Sequence, residues 1–245
     1  MIFLKTAALF GYVGFSMIFL IPIGIIVFLF SILGLQRSMA AMMYKVARIW
    51  SLILIKLVGC PVTVAGREHI PQKGGVCFVS NHGSIFDIVL LLAYAGRPIG
   101  FVAKKELSLI PLLNIWILLI GGLFIDRNSP RKAVKSIRSG VSRIKSGGGM
   151  IIFPEGHRSK GRGLLPFRPG SLKLATLSGA PIVPVAISGS YDVFEKTYRV
   201  LAHPVRVVFC ESIHTVDIPV TDRRAVLSEQ VRAVIAGALE DGNRV

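Results

Sequence analysis

Hydrophobic and polar positions divide the chain into two unlike parts. Between Lys5 and Arg37 there is no charged residue, and the run from Ala7 to Leu35 is almost wholly apolar. A tilted spanning helix needs about 20 residues, and the apolar core of a cleavable leader only about 7–15, so the run is long enough to cross a bilayer. Pro22 and Gly24 lie near its middle, where proline removes a helix hydrogen bond and bends the axis. Two arrangements stand open: a straight span, or a kinked helix that dips into one leaflet. From Ser38 to Gly59 the pattern becomes amphipathic. Met42, Met43, Val46, Ile49, Trp50, Ile53 and Leu57 recur at helical spacing, punctuated by Lys45, Arg48 and Lys56. Such a helix suits a bilayer interface, with its basic side chains near anionic headgroups. Packing on a neighbouring domain is the other reading.

From about Cys60 the rhythm changes. Short β-rich runs at Val76–Ser80, Ile99–Ala103, Leu123–Asp126, Met150–Phe153, Ile182–Ser188 and Val205–Cys210 alternate with helical stretches. Ser129–Pro130 supplies an N-cap with proline at the first helical position, and Gly147 closes that helix. A last helix runs from about Thr221 to Glu240 and ends near Gly242. Strands alternating with helices predict an α/β domain, a mainly parallel sheet covered by helices, preceded by hydrophobic N-terminal membrane helices. The division falls into membrane-anchoring helices at 1–59 and the α/β domain at 60–245. Leu107–Ile125 carries no charge, yet Pro111, Asn114 and Gly121–Gly122 interrupt it, and Lys104–Lys105–Glu106 and Asp126–Arg127 flank it. It reads as a membrane-facing element of the globular domain, with a spanning helix as the alternative.

Composition sharpens this picture. The 245 residues are enough for one sizeable core. Of them 52% are hydrophobic and 17% charged, against about 25% charged in soluble domains, so part of the chain belongs in lipid. A net charge of +16 calls for an anionic partner, either nucleic acid or an acidic membrane surface. The long uncharged runs favour the membrane, and no nucleic-acid-binding motif is present. Positive charge follows the first apolar run far more than it precedes it, which places the C-terminal domain on the cytoplasmic side of a cell membrane. Cys60, Cys77 and Cys210 are widely spaced and form no C-x-x-C pair; they read as thiols in a reducing compartment. No metal-ligand cluster stands out.

Two strand ends carry the chemistry. Val76-Cys77-Phe78-Val79 runs through Ser80 into Asn81-His82-Gly83-Ser84-Ile85-Phe86-Asp87, and an apolar helix follows. Ser84 and Asp87 have capping-box spacing, which makes Ser84 the N-cap and puts Asp87 in the first turn, where the helix dipole favours a carboxylate. On one continuous helix His82 and Asp87 would stand about 140° apart. Their pairing therefore needs the strand-to-helix turn, which Gly83 eases. A histidine held by a carboxylate is a positioned general base; a capped helix with an incidental histidine is the plainer alternative. The second strand end is Ile151-Ile152-Phe153-Pro154-Glu155-Gly156-His157-Arg158-Ser159, followed by Lys160, Arg162 and Arg168. Guanidinium groups grip phosphate bidentately. Lys160 and Arg162 read as solvated charge, whereas Arg158, beside an acid and a turn glycine, is the better site residue.

These blocks resemble the glycerolipid acyltransferase family, particularly bacterial 1-acylglycerol-3-phosphate acyltransferases. Asn81, His82 and Asp87 match its N-H-x-x-x-x-D block; Gly122 to Arg127 resemble its apolar block ending in Arg. Phe153 to Arg158 match F-P-E-G-T-R, with His157 in place of Thr, and Ala180 to Val185 resemble the proline block. The resemblance implies that His82 deprotonates an acceptor hydroxyl and that Asp87 orients His82. It implies glycerol-phosphate binding by Arg127 and Arg158, with Lys105 a further candidate, and an acceptor pocket shaped by Glu155 and Gly156. The acyl donor would be acyl-CoA or acyl carrier protein, acting as substrate with no other cofactor and no metal, and the product phosphatidic acid. Glycerol-3-phosphate or another lysolipid as acceptor is the rival in chemistry. A catalytically silent protein bound to anionic membrane is the rival in class. Ser84 is an unsuitable acyl carrier, since it is a cap and no G-x-S-x-G elbow surrounds it.

Overall fold

In the computed structural model, which describes residues 2–19, 21–32, 36–126, 129–215 and 223–242, seven strands make one sheet. They are β1 (Val62–Ala65), β2 (Val76–Ser80), β3 (Ile99–Lys104), β4 (Leu123–Ile125), β5 (Gly149–Ile152), β6 (Ile182–Ser188) and β7 (Val205–Phe209). Their order is β1-β7-β6-β2-β5-β3-β4. Every pairing is parallel except β6 with β7. The helices are α1 (Ile2–Phe19), α2 (Ile21–Ile32), α3 (Gln36–Val58), α4 (Phe86–Tyr94), α5 (Leu113–Leu119), α6 (Pro130–Lys145), α7 (Lys173–Ser178), α8 (Ser190–Val193) and α9 (Arg223–Gly242).

A sheet covered on both faces needs strands that are apolar on both faces. In β2 the period-2 alternation sends Val76 and Phe78 into the core shared with α3 and α4. Cys77 and Val79 enter the second core, under α6, α7 and α9. Pro184, inside β6, has no N–H to give; it stands at the end of the ladder to β7, where its carbonyl still accepts the Cys210 N–H at 2.9 Å. The expected strands all form, Val76–Ser80 and Ile182–Ser188 at the expected bounds and the other four with ends shifted by one residue. Strand β1 has no counterpart among them: it is four residues long, half-buried in alternation, and pairs with β7 alone at the sheet edge. The expected start of the last helix, Thr221, lies outside the described residues.

Helix α3 divides its apolar residues between two faces. Met43, Leu54, Ile55 and Val58 are buried, whereas Ile49, Ile53 and Leu57 are exposed. It packs on α4 and still presents a second apolar strip outward. Helix α1 leans on the same body: Trp50 Nε1 donates to Ser16 Oγ at 2.8 Å, and Phe10 meets Phe194 edge-on at 5.6 Å. Its other side exposes Phe3, Phe15, Ile18 and Phe19. By length and composition, the 21 residues Thr6–Ile26 could cross a membrane.

The stretch Leu107–Ile125 is not one spanning helix. It is a 3-10 turn (Lys105–Leu109), then α5, then β4. Leu112 at φ 66 and Gly121 at φ 83 turn the backbone where a helix would have to continue. It exposes Leu109, Ile110, Ile115 and Leu118 while burying Ile117.

Candidate active site

The carboxyl ends of adjacent parallel strands are where open α/β sheets hold their ligands. Strands β2 and β5 are such neighbours, Val79 lying opposite Ile152, and the two motif-bearing turns leave from their ends. Asn81 closes β2 against β6: its Nδ2 donates to the Ile187 carbonyl, and its Oδ1 accepts the Ile187 N–H, both at 2.8 Å.

Past Asn81 the chain turns into α4. His82 Nδ1 lies 3.0 Å from Asp87 Oδ2, which also accepts the Ser84 N–H at 2.9 Å. Asp87 is fully buried and the His82 side chain 14% exposed. The carboxylate can only accept, so Nδ1 carries the proton and Nε2 is left with a lone pair. The His82 ring stacks on Phe153 at 3.9 Å between centroids, which fixes its plane. The cap differs slightly from the expected one. The helix begins at Phe86, and Ser84 Oγ accepts the Phe86 N–H at 2.9 Å rather than the Asp87 N–H. Gly83 is not in the left-handed region, and an added Cβ would meet Ser190 Oγ at an ordinary 3.5 Å. The turn therefore does not depend on glycine.

The second turn is built around the first. The His82 N–H donates to Glu155 Oε1 at 2.7 Å, and the Ser159 N–H donates to the His82 carbonyl at 2.7 Å. Both backbone polar groups of His82 are thus held by the Phe153–Ser159 turn. Glu155 is fully buried, and its Oε2 accepts the Leu165 N–H at 3.2 Å. Burial pushes its carboxyl above the ordinary range, against the two amides that pull it down. Gly156, at φ 77, makes the turn that returns Arg158 to the site. The Arg158 side chain is 39% exposed, and its Nη1 donates to Glu195 Oε1 at 2.9 Å. His157 points into solvent, so the departure from threonine adds no bulk inside.

One expected site residue makes none of these contacts, and another cannot be placed. Lys105 pairs with Asp126 at 2.9 Å, at the ends of β3 and β4. Arg127 lies outside the described residues. Two residues that the sequence did not single out do enter the site. Phe153 was legible only as the first letter of its motif. Glu195 carries no sequence signal and sits more than a hundred residues from Ser84, whose Oγ donates to it at 2.5 Å. Burial pushes the Cys77 thiol up to about 12 and the Cys210 thiol to about 11, so neither offers a thiolate nucleophile.

Beside the His82 turn lies an apolar cavity of about 390 Å³, bounded by Ile85, Phe86 and Val89, by Trp50 of α3, by Phe10 of α1 and by Phe194. Its wall is almost entirely carbon. The polar His82 turn and the apolar cavity share Ile85 and Phe86, between Ser84 and Asp87.

Comparison with known proteins places the chain in a family. A family model described as Acyltransferase matches residues 61–188, more than half of the chain. A 1-acyl-sn-glycerol-3-phosphate acyltransferase of Limnanthes douglasii is 36% identical over 169 residues, covering 67% of this chain and 59% of that protein. One from Escherichia coli is 40% identical over 136 residues, 55% of this chain and 56% of that protein. The chain thus spans somewhat over half the length of these curated relatives. The crystal structure of the 1-acyl-sn-glycerophosphate (LPA) acyltransferase PlsC from Thermotoga maritima superposes with a TM-score of 0.81 at 26% identity, over 99% of this chain and 98% of that one.

Proposed function

The chain belongs to the acyltransferase family, and from that premise we propose that it moves a fatty acyl chain from a thioester to the free hydroxyl of 1-acylglycerol-3-phosphate, giving phosphatidic acid. The observation that carries this reading is His82. Asp87 holds its Nδ1 at 3.0 Å, and the Glu155–Ser159 turn holds its backbone.

His82 Nε2 takes the proton of the acceptor hydroxyl as the oxygen attacks the thioester carbonyl. Asp87 stabilises the imidazolium that forms. The tetrahedral adduct collapses with cleavage of the carbon–sulfur bond, and the imidazolium returns its proton to the departing thiolate sulfur. The products are ester and thiol, and His82 is neutral again. No acyl-enzyme is needed, and Ser84 is unsuited to form one. Its hydroxyl is buried, accepting from Phe86 and donating to Glu195.

Arg158 grips the acceptor phosphate through the N–H groups that Glu195 leaves free, with Arg127 and Lys105 as further cationic candidates. The apolar cavity next to Ile85 takes an acyl chain, because only hydrocarbon is matched by so nearly carbon-lined a wall. The donor is acyl-CoA or acyl carrier protein. The acceptor lies in the bilayer. The outward faces of α1 and α3, together with Leu109, Ile110, Ile115 and Leu118, would lower the protein into the anionic cytoplasmic leaflet of the cell membrane, with His82 near the headgroups.

The test is an acceptor screen with purified full-length protein in mixed micelles. With lysophosphatidic acid and an acyl-CoA, phosphatidic acid should accumulate by mass, and thiol should appear only when acceptor is present. Product from glycerol-3-phosphate alone, or thiol release without acceptor, overturns the reading.

A further inference from the structure

Glu195 is 7% exposed and follows α8 on the segment that leads into Val200. A buried carboxylate is costly unless it is paired and fully hydrogen-bonded. Every hydrogen bond it makes reaches one of the two catalytic turns. Oε1 accepts the Ile85 N–H at 2.7 Å and Arg158 Nη1 at 2.9 Å, and Oε2 accepts the Ser84 hydroxyl at 2.5 Å. Its place is set from outside the site. The neighbouring Phe194 ring packs on Phe10 of α1, and the Val200 N–H donates to Thr6 Oγ1 at 3.0 Å. We propose that Glu195 is a positioning residue of the transfer reaction, holding Arg158 in fixed register with the turn that carries His82 and Asp87. This rests on the acceptor reading given above.

The physical case is one of geometry against charge. A carboxylate beside Arg158 lowers the local positive potential that a phosphate would meet, so it is not there to strengthen attraction. What it supplies is orientation. Arg158 is long and 39% exposed, and loses much rotamer freedom on binding unless its guanidinium is already set. With Nη1 tied to Glu195, the guanidinium is held in place before a phosphate arrives. The same carboxylate ties down Ser84 and Ile85, adjacent residues in the link between His82 and α4. A single group therefore fixes the span between the phosphate anchor and the base. That span decides whether the acceptor hydroxyl reaches Nε2 once the phosphate is bound.

Steady-state kinetics on full-length Glu195→Ala, Glu195→Gln, Arg158→Ala and the Glu195→Ala/Arg158→Ala double variant test this, with His82→Ala in parallel. Glu195→Ala should raise the lysophosphatidic acid KM about tenfold, the effect of losing one charge-assisted hydrogen bond. It should also lower kcat, with the acyl-CoA KM within twofold. In the double variant the acceptor KM should equal that of Arg158→Ala alone. Glu195→Gln keeps an oxygen for both the Ile85 N–H and Arg158 Nη1 but loses the charge-assisted bond, so it should restore kcat and recover only part of the acceptor KM. It decides the matter if the alanine variant does not fold. The proposal is overturned if Glu195→Gln matches wild type throughout, if the KM effects multiply in the double variant, or if donor and acceptor KM rise together. Should His82→Ala be inert while the Glu195 variants behave as wild type, the inference fails and the acyltransferase reading stands. A fully active His82→Ala protein removes both.

Discussion

The backbone N–H of His82 donates to Glu155 Oε1 at 2.7 Å. The residues are 73 positions apart in the chain, and the bond joins the ends of two neighbouring strands. His82 is therefore positioned twice: its ring by Asp87 and Phe153, its backbone by Glu155 and Ser159.

Removing the ring should remove the reaction. His82→Ala is expected to lose about 10²–10⁴-fold in kcat, the usual contribution of a general base. Asp87→Asn should lose a large part of the same factor, because an amide no longer stabilises an imidazolium. Thermal melts should show both proteins folded. Full activity from a folded His82→Ala protein would end the mechanism.

Arg158→Ala should raise the KM for lysophosphatidic acid by about one to two orders of magnitude, as loss of a charged hydrogen-bonding partner does. The donor KM should stay near wild type. Arg158→Lys should restore little, since an ammonium cannot copy a planar fork. Equal rises in both KM values would instead assign Arg158 to the donor or to the fold.

Glu155 gives a pH dependence with a definite sign. Burial raises its folded-state pKa above the unfolded value, so the folded protein favours the protonated acid. The associated stability is present below the unfolded pKa and is lost as pH rises through the folded one. Compared with Glu155→Gln, wild type should therefore lose Tm as pH climbs from about 4 towards neutrality. A pH-independent difference between the two melting curves, or a difference of opposite slope, contradicts burial as the dominant influence.

Membrane attachment should resist salt. Screening weakens only the electrostatic part of the attraction, and the outward residues of α1 and the Leu109–Leu118 region are hydrocarbon. In sedimentation with anionic vesicles the protein should stay bound in 1 M salt (a Debye length of about 3 Å) and come off in detergent. Leu109→Glu with Leu118→Glu should weaken the binding, because these side chains are 81% and 58% exposed. Deleting residues before Cys60 should give aggregate, because Leu54, Ile55 and Val58 of α3 belong to the core under the sheet. Release by salt alone would mean that the apolar surfaces are not inserted.

The sequence by itself marked six of the seven strands, the helical stretches between them and the His82–Asp87 pair. Period-2 and period-3.6 patterns depend on local burial. The His82–Asp87 offset across a strand-to-helix turn is likewise short-range, five residues along the chain. Strand β1 escaped because a four-residue edge strand with alternating exposure looks like loop. The tertiary structure alone decided three things. It split the apolar residues of α3 between core and exterior, a division that a single helical pattern cannot assign without knowing what packs on it. It stacked Phe153 on His82, which follows from the pairing of β2 with β5. It also brought Glu195 to Ser84, Ile85 and Arg158. No periodicity or spacing encodes a contact across more than a hundred residues; it exists because a parallel sheet gathers the carboxyl ends of distant strands at one edge.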